Sequence, residues 1–173
     1  MNTGDAQEDR PAAGAAQYTR FDTGAEFQQS IEMLLDLSGR ELRIFDPDMQ
    51  AWRLNSAERV DHLRRFLQVS RTRRLYLVVH EPGHITKRCP RMLQLLSRYN
   101  HVIQINRTDE SIRSLQDSFA VLDARHYLRR PVARFYRGAL GLNDEPEALE
   151  MRARFMEIWS ASFPAVSSST AGL

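Results

Sequence analysis

Lysine is almost absent from this chain of 173 residues. Lys87 is the only lysine, so 23 of the 24 basic residues are arginine. An active site that needs a lysine at a fixed spacing must therefore use Lys87 or do without one. Arginine suits bidentate contacts with phosphates and carboxylates. Genomic base composition alone can produce the same bias, so the bias does not by itself indicate a ligand.

Cysteine and long apolar runs are also scarce. Cys89 is the only cysteine, which excludes a disulfide bond within the chain. No apolar run approaches the ~20 residues of a membrane-spanning helix, and the polar first residues are unlike a signal peptide. We therefore expect a bacterial protein of the cytoplasm. The sequence predicts no cofactor and no bound metal.

The overall charge is modest. The formal net charge is +2, with 42% hydrophobic and 27% charged residues, which is ordinary for a globular domain. This near-neutral balance argues against a dedicated nucleic-acid binder. Residues 1–17 and 164–173 lack periodic hydrophobicity and are predicted to be flexible tails. A single domain is predicted between them, over residues 18–163.

Hydrophobic periodicity predicts helices and strands that alternate along this domain. Helices are predicted to begin near Thr23, Ser56, Pro90 and Pro146. Strands are predicted over residues 41–45, 74–79, 102–105, 118–122 and 132–136. This alternation favours an α/β fold with a mixed, mostly parallel sheet flanked by helices.

Residues 116–123, Gln-Asp-Ser-Phe-Ala-Val-Leu-Asp, resemble the phospholipase D motif His-x-Lys-x-x-x-x-Asp. If Asp123 takes the place of the aspartate, the histidine place falls on Gln116 and the lysine place on Ser118. The apolar residues 119–122 are those expected of the motif strand. The chain is thus similar to one half of a phospholipase D-like domain.

The wider pattern supports this resemblance. Basic residues precede the apolar strand 75–79, as they do in that family, and they are Arg71, Arg73 and Arg74. The segment 155–162 resembles the aromatic-rich end of the family's closing helix. The family's Gly-Ser-x-Asn segment has a weaker counterpart in residues 138–143, which follow a longer spacer.

The resemblance implies that catalysis has been lost. In active members the histidine is the nucleophile and the lysine binds phosphate. Covalent phosphohistidine chemistry needs the imidazole, whereas glutamine at 116 has no comparable nucleophile and serine at 118 has no positive charge. Lys87 cannot compensate, because His84 precedes it by three positions rather than two. Since the family pairs two motifs across a pseudo-twofold or a dimer interface, the resemblance also implies a homodimer.

A second, looser resemblance is to an uncharacterised bacterial domain family associated with acetyltransferases. The acyl-CoA signature of those enzymes, Arg/Gln-x-x-Gly-x-Gly/Ala, does not occur in the sequence. Acetyl transfer is therefore not carried over to this chain.

The segment His80-Glu81-Pro82-Gly83-His84 matches the zinc-protease pattern His-Glu-x-x-His. That pattern binds zinc only when both histidines lie one turn apart on a helix. Pro82 and Gly83 disfavour such a helix, so a loop between a strand and a helix is predicted instead.

Polar residues at strand ends form a second candidate site. In open α/β sheets, ligands bind beyond the carboxyl ends of parallel strands. Asp46, His80 and Arg107, with Glu81 and Asn106 beside them, fall at or beyond such ends and could line one cleft. The alternative is that they are ordinary polar turn residues.

The third candidate is an arginine-rich segment, residues 125–137. Its five arginines are Arg125, Arg129, Arg130, Arg134 and Arg137. Arginines can bind phosphates and the interleaved aromatic residues can stack on bases. The alternative is a solvated hairpin whose aromatic side chains pack inward.

These observations favour a non-catalytic interaction or regulatory module that binds a phosphate-bearing ligand through its arginines, with a protein partner as a further expectation. Two alternatives remain open. One is an enzyme with a remodelled strand-end site that uses His80 or His126 for phosphoryl or acyl transfer. The other is a nucleic-acid-binding protein.

Overall fold

The computed structural model describes residues 14–168. The elements of this part are β1 (Gln17–Phe21), α1 (Gly24–Leu35), β2 (Glu41–Phe45), α2 (Ala57–Gln68), β3 (Arg74–Val79), α3 (Gly83–Arg88), α4 (Pro90–Arg98), β4 (Ile103–Thr108), β5 (Ser118–Leu122), β6 (His126–Arg130), β7 (Gly138–Leu142), α5 (Glu145–Ser160) and β8 (Ser162–Val166). None of the helices in the described part is long and apolar enough to cross a membrane.

The strands form one eight-stranded mixed sheet in the order β1-β7-β6-β5-β2-β3-β4-β8. The predicted α/β class is confirmed, but the prediction of a mostly parallel sheet is wrong. Only the β2–β3 and β3–β4 pairs are parallel, whereas the other five pairs are antiparallel. Crossover helices connect β2 to β3 and β3 to β4. Short turns join β5, β6 and β7, and such turns impose antiparallel pairing.

Helices cover both faces of the sheet. Because side chains alternate along a strand, one face carries Ile44, Leu77 and Ile105, which pack under helices α1 to α4. We call this the four-helix face. The opposite face carries Phe45 and Val78, which pack against α5, and we call it the α5 face.

Local capping agrees with the predicted helix starts. Thr23 Oγ1 accepts a hydrogen bond from the Glu26 backbone, and the Glu26 carboxylate accepts one from the Asp22 backbone. At the start of α2, Ser56 Oγ accepts a hydrogen bond from the Arg59 backbone. These side chains satisfy N–H groups that the first turn of a helix leaves unpaired.

The predicted strands need four corrections. Residues 132–136, predicted to form a strand, lie in the turn after β6, which ends at Arg130 because Pro131 cannot donate to the ladder. Only one strand was predicted where β6 and β7 both occur, and strand β1 was not predicted. Residues 164–166, assigned to the C-terminal tail, belong to β8. The missed edge strands β1 and β8 carry few buried apolar residues. Residues 1–13 and 169–173 of the predicted tails lie outside the described part.

Candidate functional site

The three motif positions lie at or beyond the two ends of β5. Gln116 is exposed before β5, and its amide donates to the Arg113 carbonyl oxygen at 3.1 Å. Ser118 is only 1% exposed and pairs across the sheet with Arg130. Asp123 lies beyond the other end of the strand.

Asp123 is a turn residue. Its φ of 54° lies in the left-handed region, which aspartate tolerates better than most residues. Its carboxylate accepts hydrogen bonds from the backbone N–H groups of Arg40 and Glu41, at 3.0 Å each. The aspartate thus connects the β5–β6 turn to the start of β2.

A buried ion pair occupies the space beside Ser118. Arg130 Nη2 lies 2.8 Å from Asp46 Oδ2, and the two side chains are 2% and 3% exposed. The other Asp46 oxygen accepts hydrogen bonds from the backbone N–H groups of Asp48 and Met49. Both carboxylate oxygens are therefore satisfied by the protein itself.

Arg130 also organises the turn after β6, residues 131–137. Its Nη1 donates to the Ala133 carbonyl oxygen at 2.5 Å, and its guanidinium lies 4.4 Å from the centre of the Phe27 ring. Burial lowers the pKa of Arg130 from its ordinary value, and the nearby Asp46 carboxylate opposes that effect. An arginine held in this way has no donor directed at solvent, so we leave Arg130 out of the phosphate-binding set.

The structure does not bring the predicted strand-end cleft together. Asp46 belongs to the buried pair with Arg130, next to Phe27 on the four-helix face. His80 is buried against the Phe45 ring on the α5 face. Arg107 lies over the Phe163 ring of β8, 5.4 Å from its centre. These residues serve three separate packing contacts.

His80 has both ring nitrogens occupied. Its Nε2 donates to the Leu115 carbonyl oxygen, and its Nδ1 faces the Thr108 hydroxyl, each at 2.6 Å. Helix α3 begins after His80 and contains His84, so the two histidines do not share a helix. Among residues 14–168, no group of three or more histidine, cysteine or acidic side chains could hold a metal ion.

His126 lies at the opposite end of the sheet from Ser118, since it pairs with Leu122 while Ser118 pairs with Arg130. Its Nδ1 accepts a hydrogen bond from the Asn143 backbone at 3.0 Å. Burial, reinforced by the Arg125 charge, lowers the pKa of His126 below its usual 6.5. A neutral, 6% exposed imidazole suits a structural role.

The remaining arginines of the predicted cluster separate into two groups. Arg125 lies in the β5–β6 turn and donates to Asn143. Arg129, Arg134 and Arg137 lie toward the other end of β6 and in the turn after it, and all three are exposed. The cluster therefore contributes three solvent-facing guanidinium groups to one region of the surface.

That region contains a groove on the α5 face, where β6, β7 and β1 lie side by side. The groove has a volume of about 250 Å³ and is lined by Tyr18, Arg20, Tyr127, Arg129, Pro131, Arg137, Gly138 and Ala139. Three of these residues are arginines and none is acidic. We call it the arginine groove.

Two glycines of β7 leave no room for a side chain. A Cβ atom at Gly141 would lie 2.2 Å from the Tyr127 ring, and one at Gly138 would lie 2.0 Å from the Arg129 carbonyl oxygen. Burial, together with the nearby charges of Asp144 and Glu147, raises the pKa of Tyr127 to about 12. The glycines of the segment compared above with Gly-Ser-x-Asn are thus required for packing in β7.

The arginines of the groove are only weakly neutralised. Arg137 faces Asp22 at 3.6 Å, but both side chains are more than 70% exposed. Arg129 faces Glu147 at 3.2 Å at the rim. Exposed pairs of this kind contribute about 0–1 kcal/mol. Within residues 14–168, the one contact found for the Arg20 guanidinium is with the Tyr18 ring, whose centre is 5.9 Å away. These cations are available to an anionic ligand.

Two further cavities adjoin the groove. One, of about 550 Å³, lies against the 131–137 turn, which exposes Val132, Phe135 and Tyr136. The other, of about 590 Å³, lies beside Gln116. In the second cavity, Arg154 forms a bidentate pair with Asp117 at 2.5 and 2.7 Å, and Glu147 and Glu150 add two further carboxylates to the lining. The arginine groove is the stronger candidate for binding an anion.

Sequence reasoning missed Arg20 and Tyr18, because they belong to the unpredicted strand β1. The alternation Tyr18-Thr19-Arg20 would place both side chains on one face of a strand. No turn or apolar run marks that segment as a strand, so local pattern offers little reason to connect it with residues 125–137.

The sequence profile of a family described as Domain of unknown function (DUF7931) matches residues 23–168. The chain belongs to the DUF7931 family. No curated protein matches its sequence.

Solved structures share the fold of this DUF7931 domain at low sequence identity. TrmBL2, an archaeal chromatin protein with a novel mode of DNA binding, matches with a TM-score of 0.63 and 10% identity over 86% of this chain. Nuc from Salmonella typhimurium, a phospholipase D family member, matches with 0.60 and 11% over 88% of this chain and 99% of its own. NucT from Helicobacter pylori matches with 0.58 and 11% over 87% of this chain and 100% of its own.

These matches confirm the predicted phospholipase D-like fold. The domain corresponds in extent to the whole of Nuc and of NucT, but it spans only 54% of the TrmBL2 chain. At this level of identity the likeness extends to the fold alone.

Proposed function

We propose that this DUF7931 domain is a non-catalytic phospholipase D-like module that binds a phosphate-bearing ligand in its arginine groove. The observation that carries the proposal is the lining of the groove, which has three arginines and no carboxylate. Guanidinium groups bind phosphate oxygens through charge-assisted, often bidentate hydrogen bonds. The ligand would lie across β6, β7 and β1.

The condition of the motif supports the non-catalytic part. At the positions equivalent to the motif, Gln116 offers no nucleophile and Ser118 is buried without a charge. The neighbouring cation, Arg130, is already paired with Asp46. We therefore interpret the motif as degenerate, with its space taken over by a structural ion pair.

The remodelled-enzyme alternative has less support. It needs a histidine that can exchange a proton with a substrate. His80 is engaged at both ring nitrogens, and His126 lies at the other end of the sheet with Nδ1 bonded to the backbone. Neither residue lines the arginine groove. We do not propose acetyl transfer, because the acyl-CoA signature of the acetyltransferases does not occur in the sequence.

Nucleic acid is the second candidate ligand. Tyr18 is 60% exposed at the groove, which suits stacking on an unpaired base. TrmBL2 is described as a DNA-binding protein, and 54% of its chain shares the fold found here. A single strand would place phosphates on Arg20 and Arg137 and a base on Tyr18.

Calorimetry with tripolyphosphate tests the proposal. The wild-type protein should bind, and Arg20→Glu with Arg137→Glu should raise the Kd at least about tenfold, because each charge-assisted hydrogen bond contributes ~1.5–3 kcal/mol. Arg71→Glu with Arg98→Glu is the matched control, since it changes the net charge equally at exposed sites on other elements. Equal loss in both double variants would indicate a general charge effect and contradict the groove.

Two further measurements separate the alternatives. A labelled 20-nucleotide thymidine strand that binds more tightly than tripolyphosphate, and less tightly after Tyr18→Ala, would favour nucleic acid. Release of p-nitrophenol from bis(p-nitrophenyl) phosphate, or from the acetate ester, would instead favour an enzyme. That turnover should then be lost in His80→Ala or His126→Ala.

A further inference from the structure

The two edges of the sheet are protected very differently. Edge strands expose unpaired backbone groups, and proteins usually block them with proline, bulges or charges. The β8 edge has Pro164 and a register irregularity at Ile105/Asn106. The β1 edge has neither, since all five of its residues pair regularly with β7 and none is proline. Within residues 14–168, strand β1 is therefore the less protected edge, with Arg20 as its only charged residue.

The sequence of β1 is complementary to itself. In an antiparallel pairing centred on Thr19, Tyr18 of one copy faces Arg20 of the other, and the reverse pair forms as well. Tyr18 and Arg20 lie on the same face as Tyr127 and Arg129, since they align with Gly141 and Ala139 of β7. The Arg20 guanidinium already lies 5.9 Å from the ring of its own Tyr18. The pairing would thus create two cation–π contacts between copies.

Other registers are less favourable. A pairing centred on Arg20 would place the two guanidinium groups opposite each other, and like charges in that position are destabilising. The register centred on Thr19 also uses the full length of the five-residue strand.

We propose that two copies of the chain associate through β1, antiparallel and centred on Thr19, so that their sheets become continuous. The local twofold axis of such a pair is perpendicular to the sheet, so both α5 faces lie on the same side. The arginine grooves of the two copies then become neighbours, with Tyr18 and Arg20 of the second copy beside each groove. This association goes beyond ligand binding and does not depend on it.

A cysteine pair on the axis tests the register directly. Thr19→Cys places two thiols at directly opposite positions, where Cβ atoms are about 4.5–5.5 Å apart. Gln17→Cys is the matched control, because in this register its two introduced thiols are about 13 Å apart along the strands. Native Cys89 is fully buried, so it contributes little background. We expect covalent dimers from Thr19→Cys under mild oxidation and few from Gln17→Cys.

Charge variants at position 18 test the same pairing without a crosslink. Tyr18→Arg places a cation opposite Arg20 in both halves of the dimer, so the dimer Kd in analytical ultracentrifugation should rise about tenfold or more. Tyr18→Glu places an anion there and should preserve the dimer. Circular dichroism checks that each variant is folded.

Three results would overturn this association. They are a wild-type protein that stays monomeric up to 100 µM, equal crosslinking of both cysteine variants, and a dimer that Tyr18→Arg leaves unchanged. Each of these results leaves the tripolyphosphate experiment and the ligand proposal intact, since a monomer can still carry the groove.

Discussion

Arg130 and Asp46 form a buried ion pair, 2.8 Å between Nη2 and Oδ2, that connects the ends of β6 and β2. The pair lies beside Ser118, the position that the sequence comparison aligns with the lysine of the phospholipase D motif. Arg130 also donates to the Ala133 carbonyl oxygen and so positions the turn that carries Arg134 and Arg137. One arginine thus fills the motif region and supports the neighbouring surface.

Truncation of Arg130 should destabilise the protein strongly. Arg130→Ala leaves the Asp46 carboxylate buried without its partner, and the free energy of unfolding should fall by about 3–5 kcal/mol. Arg137→Ala, seven residues along the chain and exposed, should change it by less than about 0.5 kcal/mol. Urea unfolding followed by circular dichroism measures both. A loss below about 1 kcal/mol for Arg130→Ala would mean that the pair does not stabilise the fold.

Restoration of the missing motif residues should not restore catalysis. Ser118→Lys would bury a second cation directly across the strand from Arg130, so the free energy of unfolding should fall by about 3 kcal/mol or more. Gln116→His, at an exposed position, should be nearly neutral. The double variant is expected to unfold more easily and to release no p-nitrophenol from a phosphodiester. Hydrolysis of the phosphodiester by that variant would contradict the interpretation of the motif as degenerate.

Asp123 should contribute to stability through its backbone contacts. Asp123→Ala removes the acceptors for the Arg40 and Glu41 N–H groups and places alanine at a φ of 54°. We expect a loss of about 2–4 kcal/mol. Asp123→Asn keeps an acceptor and tolerates the left-handed region, so it should lose less. Thermal denaturation ranks the two variants, and the opposite order would contradict this role.

His126 should make stability depend on pH. Burial lowers its pKa in the folded protein, so between that value and the unfolded value of about 6.5 the unfolded chain binds more protons. Its contribution is therefore fully present above pH 6.5 and is lost as the pH falls toward the folded value. Asparagine at position 126 can accept the same hydrogen bond without titrating. The stability of the wild type relative to His126→Asn should fall between pH 7.5 and pH 5.5.

Urea titrations of both proteins at the two pH values measure that difference. The rest of the chain is common to both proteins, so the difference between them reports on position 126 alone. A difference that stays constant between the two pH values would mean that His126 has no depressed pKa.

Burial patterns explain which elements could be predicted. Strands β2, β3 and β5 are central and almost continuously apolar, and Thr23 and Ser56 carry clear capping chemistry. Edge strands β1 and β8 bury little, so period and apolar content do not mark them. The antiparallel direction of β5, β6 and β7 was not predicted. These strands are joined by turns rather than by crossover helices, and hydrophobic periodicity does not show which kind of connection follows a strand.

The candidate site was predictable only in part. The run of arginines includes Arg129, Arg134 and Arg137, which the structure places on one exposed surface, but sequence alone does not distinguish them from Arg130. That distinction depends on Asp46, 84 positions away along the chain. Arg20 enters the groove through the β1–β7 pairing, another long-range contact that local pattern does not encode.

Phosphorus NMR of tripolyphosphate mixed with a short thymidine oligonucleotide tests the central claim most directly, because it reports phosphate binding and phosphodiester cleavage in one spectrum. We predict that the wild-type protein broadens or shifts the tripolyphosphate signals, that Arg20→Glu with Arg137→Glu abolishes this change, and that no phosphomonoester signal appears over time. A growing phosphomonoester signal, or tripolyphosphate signals unchanged by the wild-type protein, would contradict the account.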